Sequence, residues 1–340
     1  MQLRKSPLVF ALLAATFVPF ASSDAQDHLP PWMAPSGGIA HFYQIDAGGA
    51  VLQVDFAAGP LDLSTDAILA HIRTAASAVV AYYGRFPVSR ARILVIPVPG
   101  RRGVVQGTTW GGMGGVPGFT RFRIGEHASQ ADLNDDWMMT HELVHMAFPS
   151  LDDDQHWMEE GLSTYVEPVA RVEIGDLRAE RIWGDMVRDM PKGEPGPGDE
   201  GLDHTHTWGR TYWGGAMFCL VADVEIRKQT GNRMGLRDAL RAIVQQGGTI
   251  DHDWALTRAL EIGDRATGTT VLTKMYAAWK DAPVTVDLNK LWNELGVGAG
   301  TGTVELDSAA PLAAIREAIT ASGPAAATAH EPSRKPKQLR

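Results

Sequence analysis

Met138-Met139-Thr140-His141-Glu142-Leu143-Val144-His145-Met146-Ala147-Phe148 holds two histidines at i and i+4, with a glutamate directly after the first. On a helix this spacing places both imidazoles on one face, about one turn apart, where they can converge on one Zn²⁺ ion. Glu142 falls roughly 100° round the helix from His141, close enough to act on a water beside that ion without ligating it. Apolar residues stand on every side of the stretch: Trp137, Met138, Met139, Leu143, Val144, Met146, Ala147 and Phe148. A helix apolar all round is a buried one, so the competing reading is a pair of ordinary core histidines. Burying two imidazoles and a carboxylate together is costly unless their polar atoms are paired, and a metal supplies that pairing for the imidazoles. The metal reading is the favoured one.

Working outward, the motif helix is expected to begin near Asp132 or Asn134, where Asp135 and Asp136 suit the positive end of the helix dipole, and to stop at Pro149. After a short acidic loop, residues 156–169 are helical again, with Met158, Leu162, Tyr165, Val166 and Val169 on one side. So short a loop folds the second helix back on the first. Catalytic zinc usually takes three protein ligands and keeps a fourth position open. The second helix offers Glu159 and Glu160 as the third donor, and helical periodicity alone favours Glu159, which lies nearer the apolar face.

Upstream, a Pro/Gly-rich entry around 30–38 precedes a strand at 51–56. A helix follows at 65–83, closed by Gly84, and then a strand at 92–98 broken by Pro97. A glycine-rich passage, 107–115, leads to a strand at 120–124. Downstream, the prolines and glycines of 184–201 read as a mobile loop. A long helix is expected over 207–230, with shorter ones at 235–246, 251–262 and 269–281. The fold class is therefore α+β: a small N-terminal mixed sheet followed by a mostly helical half. The expected organisation is a signal peptide at 1–25, an N-terminal α/β part with an edge strand at 26–130, a zinc-binding helical part at 131–285, a closing segment at 286–322 and a disordered tail at 323–340.

The 340 residues are 44% hydrophobic and 21% charged, enough for a sizeable core. The net charge of −9, with no basic stripe before the short C-terminal tail, argues against a nucleic-acid binder. Arg4 and Lys5, an apolar run over 8–20 and small residues up to Ala25 read as a cleavable leader, so the protein is expected to be exported, periplasmic or secreted. The run is short for a membrane span and no later segment is comparable, so no stable membrane insertion is expected. Cys219 is the lone cysteine and reads as a small core residue.

Trp157-Met158-Glu159-Glu160-Gly161-Leu162-Ser163-Thr164-Tyr165 resembles the W-x-x-E-G-x-x-x-Y stretch of the gluzincin metallopeptidases, in particular the aminopeptidase N and glycyl aminopeptidase families. The resemblance implies a zincin-like fold, one Zn²⁺ per chain, and Glu160 as the third ligand beside His141 and His145. Tyr212-Trp213-Gly214-Gly215, followed by Asp223-Val224-Glu225-Ile226-Arg227, resembles the glycyl aminopeptidase pattern in which the tyrosine hydroxyl stabilises the oxyanion. The likeness covers roughly residues 107–246. It implies hydrolysis of a peptide or protein substrate, with Glu142 as general base and Tyr212 as oxyanion donor. A packed core tyrosine is the alternative to that role for Tyr212.

Two departures stand out. The interval from His145 to Glu160 is shorter than in the aminopeptidase N pattern, and no room precedes the motif for that family's large N-terminal β-domain, so the chain reads as a reduced catalytic unit. The G-A-M-E-N element, whose glutamate grips a free α-amine, is matched by Gly111-Gly112-Met113-Gly114-Gly115, with Gly114 where that glutamate stands. Glu126 lies beyond the next strand and is poorly placed to substitute. Cleavage away from the terminus is therefore expected, with an aminopeptidase as the alternative. A zinc-containing binding or structural protein, and a zinc hydrolase of some non-peptide substrate, are the other readings. The intact Glu142 favours catalysis, since a closed structural site has little use for it. His204 and His206 could touch substrate, with solvated loop histidines as the favoured reading, and Arg210 reads as either a holder of a substrate carboxylate or the partner of an acidic neighbour.

Overall fold

A computed structural model of the chain describes residues 33–113, 115–298 and 302–321. The leader at 1–25, the tail at 323–340 and Gly114 lie outside the described residues.

The first half is a five-stranded mixed sheet of β1 (Ile39–Ala47), β2 (Ala50–Ala57), β3 (Arg90–Val98), β4 (Val104–Gly111) and β5 (Gly118–Gly125), in the order β1-β2-β3-β5-β4. β3 runs parallel to both neighbours, and Ala91 to Val95 are all buried, as a central parallel strand requires. β1 and β4 close the two edges in antiparallel pairing. Both edge strands lie mainly in stretches with weak strand signatures, and β4 takes shape through its pairing with β5. Helix α1 (Thr65–Tyr83) packs against the helical half, with Ser64 capping its start and Gly84, at φ 80°, ending it.

The second half consists of α2 (Gln130–Asn134), α3 (Met138–His145), α4 (His156–Glu173), α5 (Ala179–Asp189), α6 (Gly215–Thr230), α7 (Leu236–Gln245), α8 (Leu256–Thr267), α9 (Val271–Trp279), α10 (Leu288–Leu295) and α11 (Ala313–Ile319). The expected α+β class stands. Sheet and helices share one core, in which Val54, Ile72, Ile93, Leu143, Val166 and Phe218 belong to a single buried cluster.

Four expectations need correction. The motif helix is not continuous from Asp132: α2 ends at Asn134, and α3 starts afresh at Met138 because the Asp136 carboxylate accepts from the Met138 and Met139 amides, both at 3.1 Å. Trp137 is not in the core but about half exposed at the start of α3. Residues 184–201 are not a uniform loop, since α5 runs through Gly184 to Asp189 and a 3-10 turn covers Met190–Gly193. The helix expected over 207–230 opens with a π-helical turn, Arg210–Gly214, before α6 proper. Cys219 is buried within α6, and among the described residues no helix is long and apolar enough to cross a membrane.

Candidate active site

Helices α3 and α4 pack together, and α4 in turn lies unusually close to the start of α6. A Cβ on Gly161 would collide with the Gly215 backbone, and one on Gly215 with Trp157 and Gly161. Glycine at both positions lets the backbones meet, which seats the Arg210–Gly214 turn beside Glu160. A π-turn inserted at a helix start often marks a functional position.

Three donors converge between α3 and α4. His141 Nε2 lies 3.0 Å from Glu160 Oε2, His145 Nε2 lies 3.2 Å from His141 Nε2, and His145 Nε2 lies 3.5 Å from Glu160 Oε2. Ligand bonds of about 2.0–2.1 Å in a tetrahedron give donor separations of about 3.3–3.4 Å, so these three edges fit one zinc-sized cation. At least one of two imidazole nitrogens in such contact presents a bare lone pair to the other. A carboxylate added to them makes an acceptor-rich knot that a cation resolves. Among the described residues the cluster has three members, the number of protein ligands that a catalytic zinc usually takes.

The electrostatics agree. Burial disfavours a charged His145, but the hydrogen bond and attraction of Glu160, with Glu142 and Glu159 adding to it, more than compensate and raise its pKa to about 9. For Glu160 burial pushes upward, and the two imidazoles outweigh it and hold the carboxyl well below the ordinary range. The pair therefore favours a positive charge between its members.

Of the two adjacent glutamates, Glu160 is the one that joins the histidines. Glu159 turns aside to accept from the Leu151 amide at 3.0 Å and to bond His156 Nδ1 at 2.9 Å. Glu142 is buried beside the cluster, and its Oε2 accepts from Thr109 Oγ1 at 2.7 Å. Thr109 Oγ1 also lies 3.0 Å from the Glu142 carbonyl and 3.0 Å from Thr120 Oγ1, so β4 and β5 together hold this side chain. Gly107, one pleat earlier, gives it room: a Cβ there would sit 2.5 Å from Glu142 Cγ and 2.9 Å from Oε1. A cleft of about 590 Å³ runs along β4 past Glu142, His145, Glu160 and Tyr212 to Ile250.

The Tyr212 ring stacks near His141, with centroids 6.1 Å apart, and near Trp208, at 5.6 Å. Burial, reinforced by Glu160 and Glu142, raises its pKa, so the hydroxyl keeps its proton at neutral pH and can donate it in a hydrogen bond. His204 pairs with Asp281 at 2.8 Å and His206 lies 3.9 Å from Asp154. Both are exposed, and neither lines the cleft. Arg210 is buried, paired with Asp199 at 2.7 Å and donating to the Gly193 carbonyl, so its role is internal. Glu126 accepts from the Gly100 amide and is absent from the cleft lining. Sequence reasoning missed Thr109, Gly107 and Ile250. The glycine-rich run around the first two was the available signal.

No family model matches the chain, and no curated protein matches it in sequence. Among solved structures it is similar to an aminopeptidase N family protein from Idiomarina loihiensis, with 13% identity and a TM-score of 0.57 over 76% of this chain and 49% of that one. It is also similar to an M1 zinc metallopeptidase from Deinococcus radiodurans, with 15% identity and a TM-score of 0.47 over 74% of this chain and 52% of that one. A mutant two-domain M1 zinc metallopeptidase bound to L-arginine gives 15% identity and a TM-score of 0.48, over 74% and 54%. The chain spans about half the length of the structures it matches. The first of these likenesses shows the fold: the α+β architecture of an aminopeptidase N family structure.

Proposed function

We propose that this protein is a zinc-dependent peptide hydrolase. One observation carries the reading: three metal-type donors converge on one point with an additional carboxylate, Glu142, held beside them by Thr109 and not spent as a ligand. His141, His145 and Glu160 would hold one Zn²⁺ per chain. Zinc bound there supplies a Lewis acid that makes a water nucleophilic and polarises a carbonyl.

The chain's own residues account for the protons. Glu142 has Oε2 engaged by Thr109, which leaves Oε1 to take the proton of the attacking water. As the new C–O bond forms and the C–N bond breaks, Glu142 passes that proton to the departing amine. The Tyr212 hydroxyl, kept protonated by its surroundings, donates to the developing oxyanion. An extended peptide would lie along β4, the last strand in the sheet order among the described residues. The leader-like residues 1–25 support an exported setting for this activity, periplasmic or secreted.

A second reading, an aminopeptidase, is favoured by one feature: the Ile250 backbone lies so close to Gly111 that a Cβ there would collide with it, and Glu159 lines the same cleft. A cleft narrowed at one end and carrying a carboxylate suits a free α-amine. Matched peptides with free and acetylated N-termini, digested with and without chelator, test both. Chelator-sensitive cleavage of both forms is the expected result. Strict dependence on the free amine selects the aminopeptidase, and no cleavage of either form across a peptide library refutes peptide hydrolysis.

A further inference from the structure

A second cavity, of about 450 Å³, shares Tyr212 and His141 with the site, yet no residue of β4 lines it. Tyr212 lines both this cavity and the cleft along β4, so the two adjoin beside the metal cluster. Its walls are unusual. Trp137 and Trp208, 48% and 60% exposed, are the two most exposed large hydrophobic side chains among the described residues, and both line it. Exposed aromatics set at a cavity mouth point to a binding surface. They are also tied to the chemistry: the Trp137 ring stands edge-on to His141 at 5.1 Å, and the Trp208 ring stacks on Tyr212 at 5.6 Å.

The rest of the lining combines apolar residues, among them Pro168, Leu177, Ile182, Met186, Met190 and Ala216, with ionised ones. The ionised groups around it are already matched. Lys192 pairs with Asp189 at 2.7 Å, Arg188 with Asp185 at 2.6 Å, Arg181 lies 3.6 Å from Asp135, and Arg171 pairs with Glu167 at 2.9 Å. With each cation answered by a carboxylate, the cavity offers no uncompensated charge to an ionic ligand. Its chemistry asks for a neutral, apolar one.

We propose that this cavity receives a large apolar side chain, aromatic or long aliphatic, from the substrate residue next to the scissile bond, gripped by Trp137 and Trp208. The assignment of a scissile bond rests on the proposed hydrolase function; the binding preference does not.

Binding is measured by calorimetry on the full-length Glu142→Gln protein with two blocked peptides, Ala-Ala-Phe-Ala-Ala and Ala-Ala-Gly-Ala-Ala. Burying a phenylalanine side chain favours the first by roughly 10- to 100-fold. Trp208→Ala and Trp137→Ala should each shrink that ratio several-fold, while Trp208→Phe retains it. Equal binding of the two peptides, or a preference untouched by both alanine variants, overturns the proposal. The wild-type protein is then assayed for cleavage of the same pair. Preferential binding without cleavage of any peptide refutes the hydrolase function and leaves the apolar pocket standing.

Discussion

Gly107→Ala tests how closely catalysis depends on the fit between an edge strand and the general base. A Cβ at this position would stand 2.5 Å from Glu142 Cγ, 3.0 Å from Cδ and 2.9 Å from Oε1. Carbon atoms settle at about 3.5–4.0 Å, so Glu142 or β4 must retreat by about 1 Å. Glu142 has little freedom, because its backbone is within buried α3 and its carboxylate is tied to Thr109. Gly107 is outside the left-handed region, so the effect comes from the added carbon and not from backbone strain. Misplacing a catalytic group by about 1 Å costs on the order of 10² in rate, and overpacking costs about 1–3 kcal/mol of stability. The expected variant is folded, melts somewhat lower, retains its metal because no donor is touched, and loses roughly 10² in kcat. Steady-state kinetics on a peptide the wild type cleaves, with metal analysis and a thermal melt on the same sample, gives all three readings. Thr109→Val is the companion: it removes the hydroxyl that accompanies Glu142 without adding bulk, and kcat should again fall with the metal retained. Wild-type kcat in both variants would refute the idea that β4 positions the general base.

Glu142→Gln should leave fold and metal in place while lowering hydrolysis by about 10²–10⁴, the contribution of a positioned acid–base group; loss of metal in this variant would mean Glu142 is a ligand. Freshly purified protein should carry about one zinc per chain, and His145→Ala should lose it by elemental analysis, since two donors hold the ion too weakly. Metal retained by His145→Ala would break the assigned donor set. Tyr212→Phe is expected to lower kcat by about 10²–10³ with little change in KM, as for loss of an oxyanion donor. An unchanged kcat returns Tyr212 to a packing role.

Much of the centre is legible in the sequence because it depends on local periodicity. The i, i+4 spacing of His141 and His145 decides their common face as soon as the stretch is helical, and Glu142 follows at its own angle. The strand at 51–56 and the α1 helix with Gly84 as its stop are readable for the same reason: alternation and capping act within a few residues. Trp137 departs from its expected burial because apolar character on all sides of a helix argues for burial only along its packed length. This residue stands at the end, where α3 starts.

Glu159 and Glu160 show where that kind of reasoning ends. They are neighbours on one helix, about 100° apart, and periodicity describes each relative to α4 but not the rotation of α4 about its axis. That rotation follows from the packing of α4 on α3 and from the backbone contact between Gly161 and Gly215, which turns Glu160 toward the histidines and leaves Glu159 with Leu151 and His156. The meeting of Thr109 and Gly107 with Glu142 likewise joins a sheet edge to a helix across an intervening strand, and the exposure of Trp208 over a cavity depends on α5 and the π-turn together. Sequence alone determined which residues could bind a metal and move a proton, because those capacities belong to side-chain chemistry and short-range spacing. Tertiary packing decided which of them meet, because the angle and depth at which one element rests on another are set by contacts between residues far apart in the chain.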